Sequence, residues 1–110
     1  MIAATPLPPY FAVIFTSLLT EHDPAYEAMA EKMALLAALQ PGYLGMETAR
    51  ETTGITVSYW ENLQAIKAWK QNSEHLYAQN MGKSAWYAAY KVRICKVELE
   101  YGFEMEMQRG

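Results

Sequence analysis

The sequence predicts an α+β domain with the element order βαββαβ. Aromatic and β-branched runs, read as strands, alternate with two stretches whose apolar residues recur at helical spacing. Proline and glycine punctuate the joins at Pro24, Pro41-Gly42 and Gly54. A length of 110 residues sets one domain, too short for a (β/α)8 barrel or a two-domain dehydrogenase.

Residues 1–9 contain Pro6, Pro8 and Pro9, which fix φ and remove backbone donors, so they read as an extended arm. The run YFAVIFTSLLT, residues 10–20, is the first strand, apolar on both faces and therefore covered on both. Asp23-Pro24 starts a helix, with an acceptor before the first turn and proline at the first helical position. Tyr26, Met29, Met33, Leu36 and Ala37 form its apolar stripe, and Pro41-Gly42 ends it. Residues 43–51 make a weaker strand. In the strand ITVSYW, alternation sends Ile55, Val57 and Tyr59 to one face and Thr56, Ser58 and Trp60 to the other. Residues 61–90 are helical in composition, with a break expected near Asn72-Ser73, where Ser73 caps a second helix, and a bend at Gly82. The last strand is read over residues 91–103. Its apolar phase steps from Val92 and Ile94 to Val97 and Leu99, which predicts a bulge near Cys95 and Lys96. Residues 104–110 read as a polar tail. The domain proper is thus residues 10–103, in the split-βαβ, ferredoxin-like order with both helices on one sheet face. No element is left to cover the other face, so a second copy is expected there as an isologous homodimer.

Composition narrows the function classes. The net charge is −3 and there is no basic run, which argues against a nucleic-acid partner. One cysteine, Cys95, excludes an intramolecular disulfide, and two histidines without a cysteine cluster do not make a three-histidine zinc site. The residues before Tyr10 carry no lysine or arginine and read as neither a signal nor a transit peptide. No apolar run is long enough to cross a bilayer, so a cytoplasmic protein with no membrane partner is expected. The chain is 52% hydrophobic with 3 Trp, 8 Tyr, 3 Phe and 7 Met, and a domain this small buries only about 65% of its unfolded surface. The surplus needs a partner, a pocket or both.

Three segments carry a resemblance: QPGYLGMETAR (residues 40–50), GITVSYWENLQAIKAWKQNSEHL (54–76) and WYAAYKVRICKVELEYGFE (86–104). They are similar to the antibiotic biosynthesis monooxygenase family, a branch of the dimeric α+β barrels, over roughly residues 10–103. The most telling piece is a strand ending in aromatic-Trp-Glu, then a helix with Leu63, Ile66 and Trp69, then Ser73-Glu74-His75. The resemblance implies ferredoxin-like protomers that pair their sheets into a dimeric α+β barrel. It further implies a monooxygenase that works with O2, and without metal or flavin, on a small aromatic or quinol-like molecule. A haem-degrading branch carries an Asn on the first strand, a Trp on the second helix and a His ten positions later. Here Trp69 matches, but Gln79 stands at the His position and Phe15 or Thr16 at the Asn position, so haem is disfavoured as a cofactor.

Within that frame His75 is the candidate general base: a neutral imidazole can deprotonate a phenol, leaving an electron-rich anion that reacts with O2. Its plainer reading is a histidine in a helical first turn. Trp69 and Asn80 join it as catalytic candidates, Asn80 to hold an oxygenated intermediate. Trp60, Phe15, Met33, Tyr77, Trp86 and Tyr59 are candidate substrate-binding residues, since flat substrates favour aromatic walls. For any single one of them, core packing is the plainer reading. Arg50 and Arg93 lie in strands, where a lone cation can steady an anionic substrate; a solvated strand edge is the plainer assignment. Lacking an oxidisable substrate, the same fold would be a haem-binding protein or a non-catalytic dimeric module for a small ligand.

Overall fold

The computed structural model describes residues 1–20, 24–80 and 86–105; for 77–80 only the helical backbone is described. The expected cap at Asp23, the bend at Gly82, the side chains of Tyr77 and Asn80 and the tail from 106 onward lie outside the described residues.

The elements follow the predicted order: β1 Tyr10–Leu19, α1 Pro24–Ala38, β2 Tyr43–Arg50, β3 Gly54–Trp60, α2 Leu63–Asn80 and β4 Tyr87–Val97. They build an α+β fold on one antiparallel sheet in the order β2-β3-β1-β4, the ferredoxin-like arrangement. β1 starts where the Pro8-Pro9 pair stops withholding ladder donors. Trp60, Trp69, Ile66 and Ala37 form the buried core, with Phe11, Val13, Met33, Leu36, Tyr43 and Met46 packed around it. The helices therefore lie on the side of the sheet that carries Phe11, Val13 and Trp60. Tyr10, Ala12, Ile14, Val57 and Tyr59 alternate to the outer side.

Four local expectations are corrected. α2 runs unbroken through Asn72-Ser73, and its cap is Asn62, whose Oδ1 accepts from the Ala65 amide at 2.8 Å. Ser73 turns its hydroxyl back onto the Lys70 carbonyl, 2.9 Å away, which lets it sit inside a helix. Consequently Glu74 is in mid-helix, facing Lys70 at 4.0 Å on the exposed surface. β4 begins four residues earlier than expected, at Tyr87, and ends at Val97, because its partner β1 runs only from Tyr10, opposite Val97, to Leu19, opposite Tyr87. The register passes smoothly through Cys95 and Lys96; the irregularity falls instead at Leu18/Leu19.

The outer face has a partial cover after all. The arm folds back across it, with the Ala3 amide donating to Glu47 Oε2 at 2.9 Å and the Thr5 hydroxyl sharing its one proton between Tyr10 Oη at 3.0 Å and Glu100 Oε2 at 2.9 Å. Gly45 permits this approach: at φ +153°, a Cβ there would lie 2.9 Å from Ala3 Cβ. The rest of that face stays open, with Ile55 and Leu18 exposed.

Candidate functional site

The side chains named from sequence fall into three places. Trp60 and Trp69 meet in the core, stacked with ring centroids 5.8 Å apart; the Trp60 indole N–H donates to Ser58 Oγ at 2.9 Å. Tyr43 closes on Trp60 edge-on at 5.6 Å. With Trp60 wholly buried and Trp69 nearly so, this end of the helix–sheet layer is packed solid. Met33 packs half-buried against it.

Phe15 and Trp86 belong to a second group: Phe15 lies four residues along β1 from Phe11, roughly 13 Å by the rise of a strand, and Trp86 is bonded through its carbonyl to Thr20, just beyond the end of β1. There Tyr26 of α1 meets Trp86 at 5.9 Å and Tyr87 at 5.7 Å, both edge-on. Phe15 meets Tyr87 and Tyr90, each at 5.5 Å. The Tyr87 hydroxyl donates to that of Tyr26 at 3.5 Å. Trp60, Trp69 and Trp86 are therefore not walls of one cavity. Trp86 is buried, while Tyr90 is 63% exposed and its β4 neighbours Val92 and Ile94 are about half exposed, at 46% and 50%. The helix-facing side of the sheet is thus closed at Trp60 and open along β4.

His75 lies on the exposed surface of α2. Tyr59 lies on the opposite side of the sheet from Phe15, Met33 and Trp60. Its hydroxyl donates to Glu47 Oε1 at 2.6 Å, and its ring meets Tyr10 edge-on at 5.9 Å. Burial, then the neighbouring Glu47 carboxylate, pushes the Tyr59 phenol well above its ordinary range. The Tyr59 hydroxyl, then the Ala3 amide, holds Glu47 below the usual carboxylate range. Burial, followed by its hydrogen bond to Glu100, likewise raises Tyr10. This outer network ties the arm to the sheet.

From sequence, Tyr87 and Tyr90 are hydroxyl donors to a ligand or dimer-rim residues, and Tyr26 is one member of a helical stripe; the β1–β4 register and the packing of α1 against it bring the three together, and no local pattern carries either. Among the described residues no group of three or more His, Cys, Asp or Glu is placed to hold a metal ion. No helix there is long and apolar enough to cross a membrane.

Fold order, strand pairing and one-sided helices define a ferredoxin-like α+β protein with an aromatic-lined, partly open helix-facing side. The family model for antibiotic biosynthesis monooxygenases matches residues 9–81, and the chain belongs to that family. YqjZ of Bacillus subtilis (strain 168) is 48% identical over 105 residues, covering 94% of this chain and 92% of YqjZ. Among solved structures, a SnoaB variant from Streptomyces nogalater, described as a cofactor-independent oxygenase, aligns with a TM-score of 0.68 at 10% identity. That alignment covers 83% of this chain and 95% of SnoaB. A MhuD variant with two manganese protoporphyrin IX molecules bound per active site aligns at 0.61 and 19% identity, over 84% of this chain and 99% of that one. Both structural likenesses concern the fold.

Proposed function

We propose that the protein is a cofactor-independent monooxygenase that acts with O2 on a small aromatic or quinol-like molecule at the helix-facing side of its sheet. Membership of the antibiotic biosynthesis monooxygenase family is the observation that carries this reading. The partly exposed aromatic group around Phe15, Tyr26 and Tyr90 supplies a surface for a flat ring. Chemically, a phenol and O2 give a quinone and water. One oxygen atom enters the ring, the other leaves as water, and the substrate supplies all four electrons. The protein's task is to take the phenol proton and to hold the anion beside O2. His75 is the proton acceptor in this reading, a neutral imidazole being able to take a phenol proton. Its exposed position gives that proton a direct way to solvent.

Oxygen uptake with a panel of hydroquinones and polyphenols tests the reading. Substrate-dependent uptake that falls at least tenfold in His75→Ala supports it; no uptake across the panel overturns it. Haem binding is the second reading, since Trp69 stands where the haem-degrading branch carries its Trp. A Soret band that grows on haemin titration and saturates at a fixed stoichiometry would select it.

The working unit is a homodimer. Leu99, Tyr101 and Phe103 follow β4 with 89%, 102% and 88% of their surfaces exposed, alternating with Glu98, Glu100 and Glu104. Three large apolar side chains at alternate positions, uncovered among the described residues, suit a second copy.

A further inference from the structure

Arg50 lies in one row across the helix-facing side of the sheet with Gly54, Ser17 and Tyr90, one residue from each strand. A strand arginine would normally project over its own neighbour. Here its guanidinium passes over Gly54 and donates from Nη2 to the Ser17 hydroxyl of β1. Gly54 makes the path: a Cβ there would sit 2.0 Å from Arg50 Nη2 and 2.1 Å from Cζ. Ser17 is 2% exposed, so the acceptor is fixed in the sheet. The Tyr26 ring faces the guanidinium carbon at 5.6 Å. One planar cation is therefore held by a hydroxyl, by a bare backbone and by an aromatic face.

The arginine remains exposed, and among the described residues no carboxylate lies within ion-pair distance of it. It has five N–H donors and Ser17 takes one. It also stands at the rim of the group formed by Phe15, Tyr26, Tyr87 and exposed Tyr90. The nearest cations of β4, Lys91 and Arg93, pair with Thr16 and Ile14 and so point from the opposite face. A single oriented guanidinium beside flat rings matches a planar monoanion attached to an aromatic ring, which it can grip with two parallel hydrogen bonds. A phosphate ester, with more charge, would call for more cations.

We propose that Arg50, laid across Gly54, is the residue that selects aromatic substrates bearing a carboxylate or an ionised phenol. The inference rests on the aromatic-substrate reading above and names its charge class.

Calorimetric titration under nitrogen separates binding from turnover, using 2-naphthoate and its neutral analogue 2-naphthamide as probes. The wild type should bind 2-naphthoate at least tenfold more tightly than 2-naphthamide. Arg50→Gln should erase that preference, Arg50→Lys should keep part of it, and Gly54→Ala should weaken 2-naphthoate several-fold while leaving 2-naphthamide unchanged. Equal affinity for the two probes in the wild type, no heat from 2-naphthoate, or a preference that survives Arg50→Gln would overturn the inference. Circular dichroism checks that Arg50→Gln is folded. Where it is not, Gly54→Ala decides: an undiminished preference there overturns the inference. Preference for 2-naphthoate with no oxygen uptake from any hydroquinone would remove the oxygenase and leave the anion site. Uptake of neutral hydroquinones unaffected by Arg50→Gln, with no preference in binding, would do the reverse.

Discussion

Glu47 is the joint between the N-terminal arm and the sheet, and replacing it measures that joint. Its two oxygens accept separately, Oε1 from the Tyr59 hydroxyl at 2.6 Å and Oε2 from the Ala3 amide at 2.9 Å. A hydrogen bond to a charged group contributes about 1.5–3 kcal/mol net; both of these are part-buried, so the lower figure applies to each. Glu47→Ala should then cost about 3 kcal/mol. Glu47→Gln keeps one acceptor but turns its amide toward the other donor, and should cost about 2 kcal/mol. Tyr59→Phe should cost about 1.5 kcal/mol, and the double variant Glu47→Gln/Tyr59→Phe should fall short of the sum by about 1 kcal/mol, since the pair shares one bond. Urea unfolding followed by tryptophan fluorescence, at one fixed protein concentration, reads all four. The effect is also pH-dependent. Glu47 is held below its unfolded value of about 4.3, so as pH falls the unfolded chain takes up the proton first. The carboxylate's contribution is therefore complete at neutral pH and is lost as pH falls through the lowered native value. The gap between wild type and Glu47→Gln should be full at pH 7 and narrower at about pH 3. Single variants that add within about 0.3 kcal/mol, or a gap that does not change with pH, would refute the reasoning.

Trp60→Ala removes a wholly buried ring stacked on Trp69 and should cost about 3–5 kcal/mol, read as a large fall in Tm or in soluble yield. Gly42→Ala should destabilise by about 1–3 kcal/mol in the same unfolding assay, because Gly42 sits at φ +87° and a Cβ would come within 2.6 Å of Ala65 Cβ. Asn62→Ala removes the α2 cap and should cost about 1 kcal/mol. Light scattering after size exclusion should find the wild type as a dimer and the combined Leu99→Ser, Tyr101→Ser, Phe103→Ser variant as a folded monomer. A variant that stays dimeric would place the interface elsewhere.

Local pattern determined much of the fold. Alternation assigned Tyr59 and Trp60 to opposite faces, Pro24 and Pro41-Gly42 bracketed α1, and the six elements appear in the order that their spacing implies. These features depend on a residue and its near neighbours, which is what periodicity and turn chemistry record. Only the tertiary structure decided the rest. Ser73 carries a capping signal, yet α2 continues through it, a helical run that includes the buried Ile66 and Trp69. The ends of β4 are those of β1, a partner whose Tyr10 lies opposite Val97. Glu47 meets Ala3 across 44 positions and Tyr10 meets Glu100 across 90, so the arm's docking left no local trace. Arg50 looked like any strand-edge cation until Gly54 was seen beneath it and Ser17, 33 positions away, beyond. The sequence by itself determined which residues share a face of each strand. Pairing between distant strands decided which of them meet, because register is set by partners and not by neighbours.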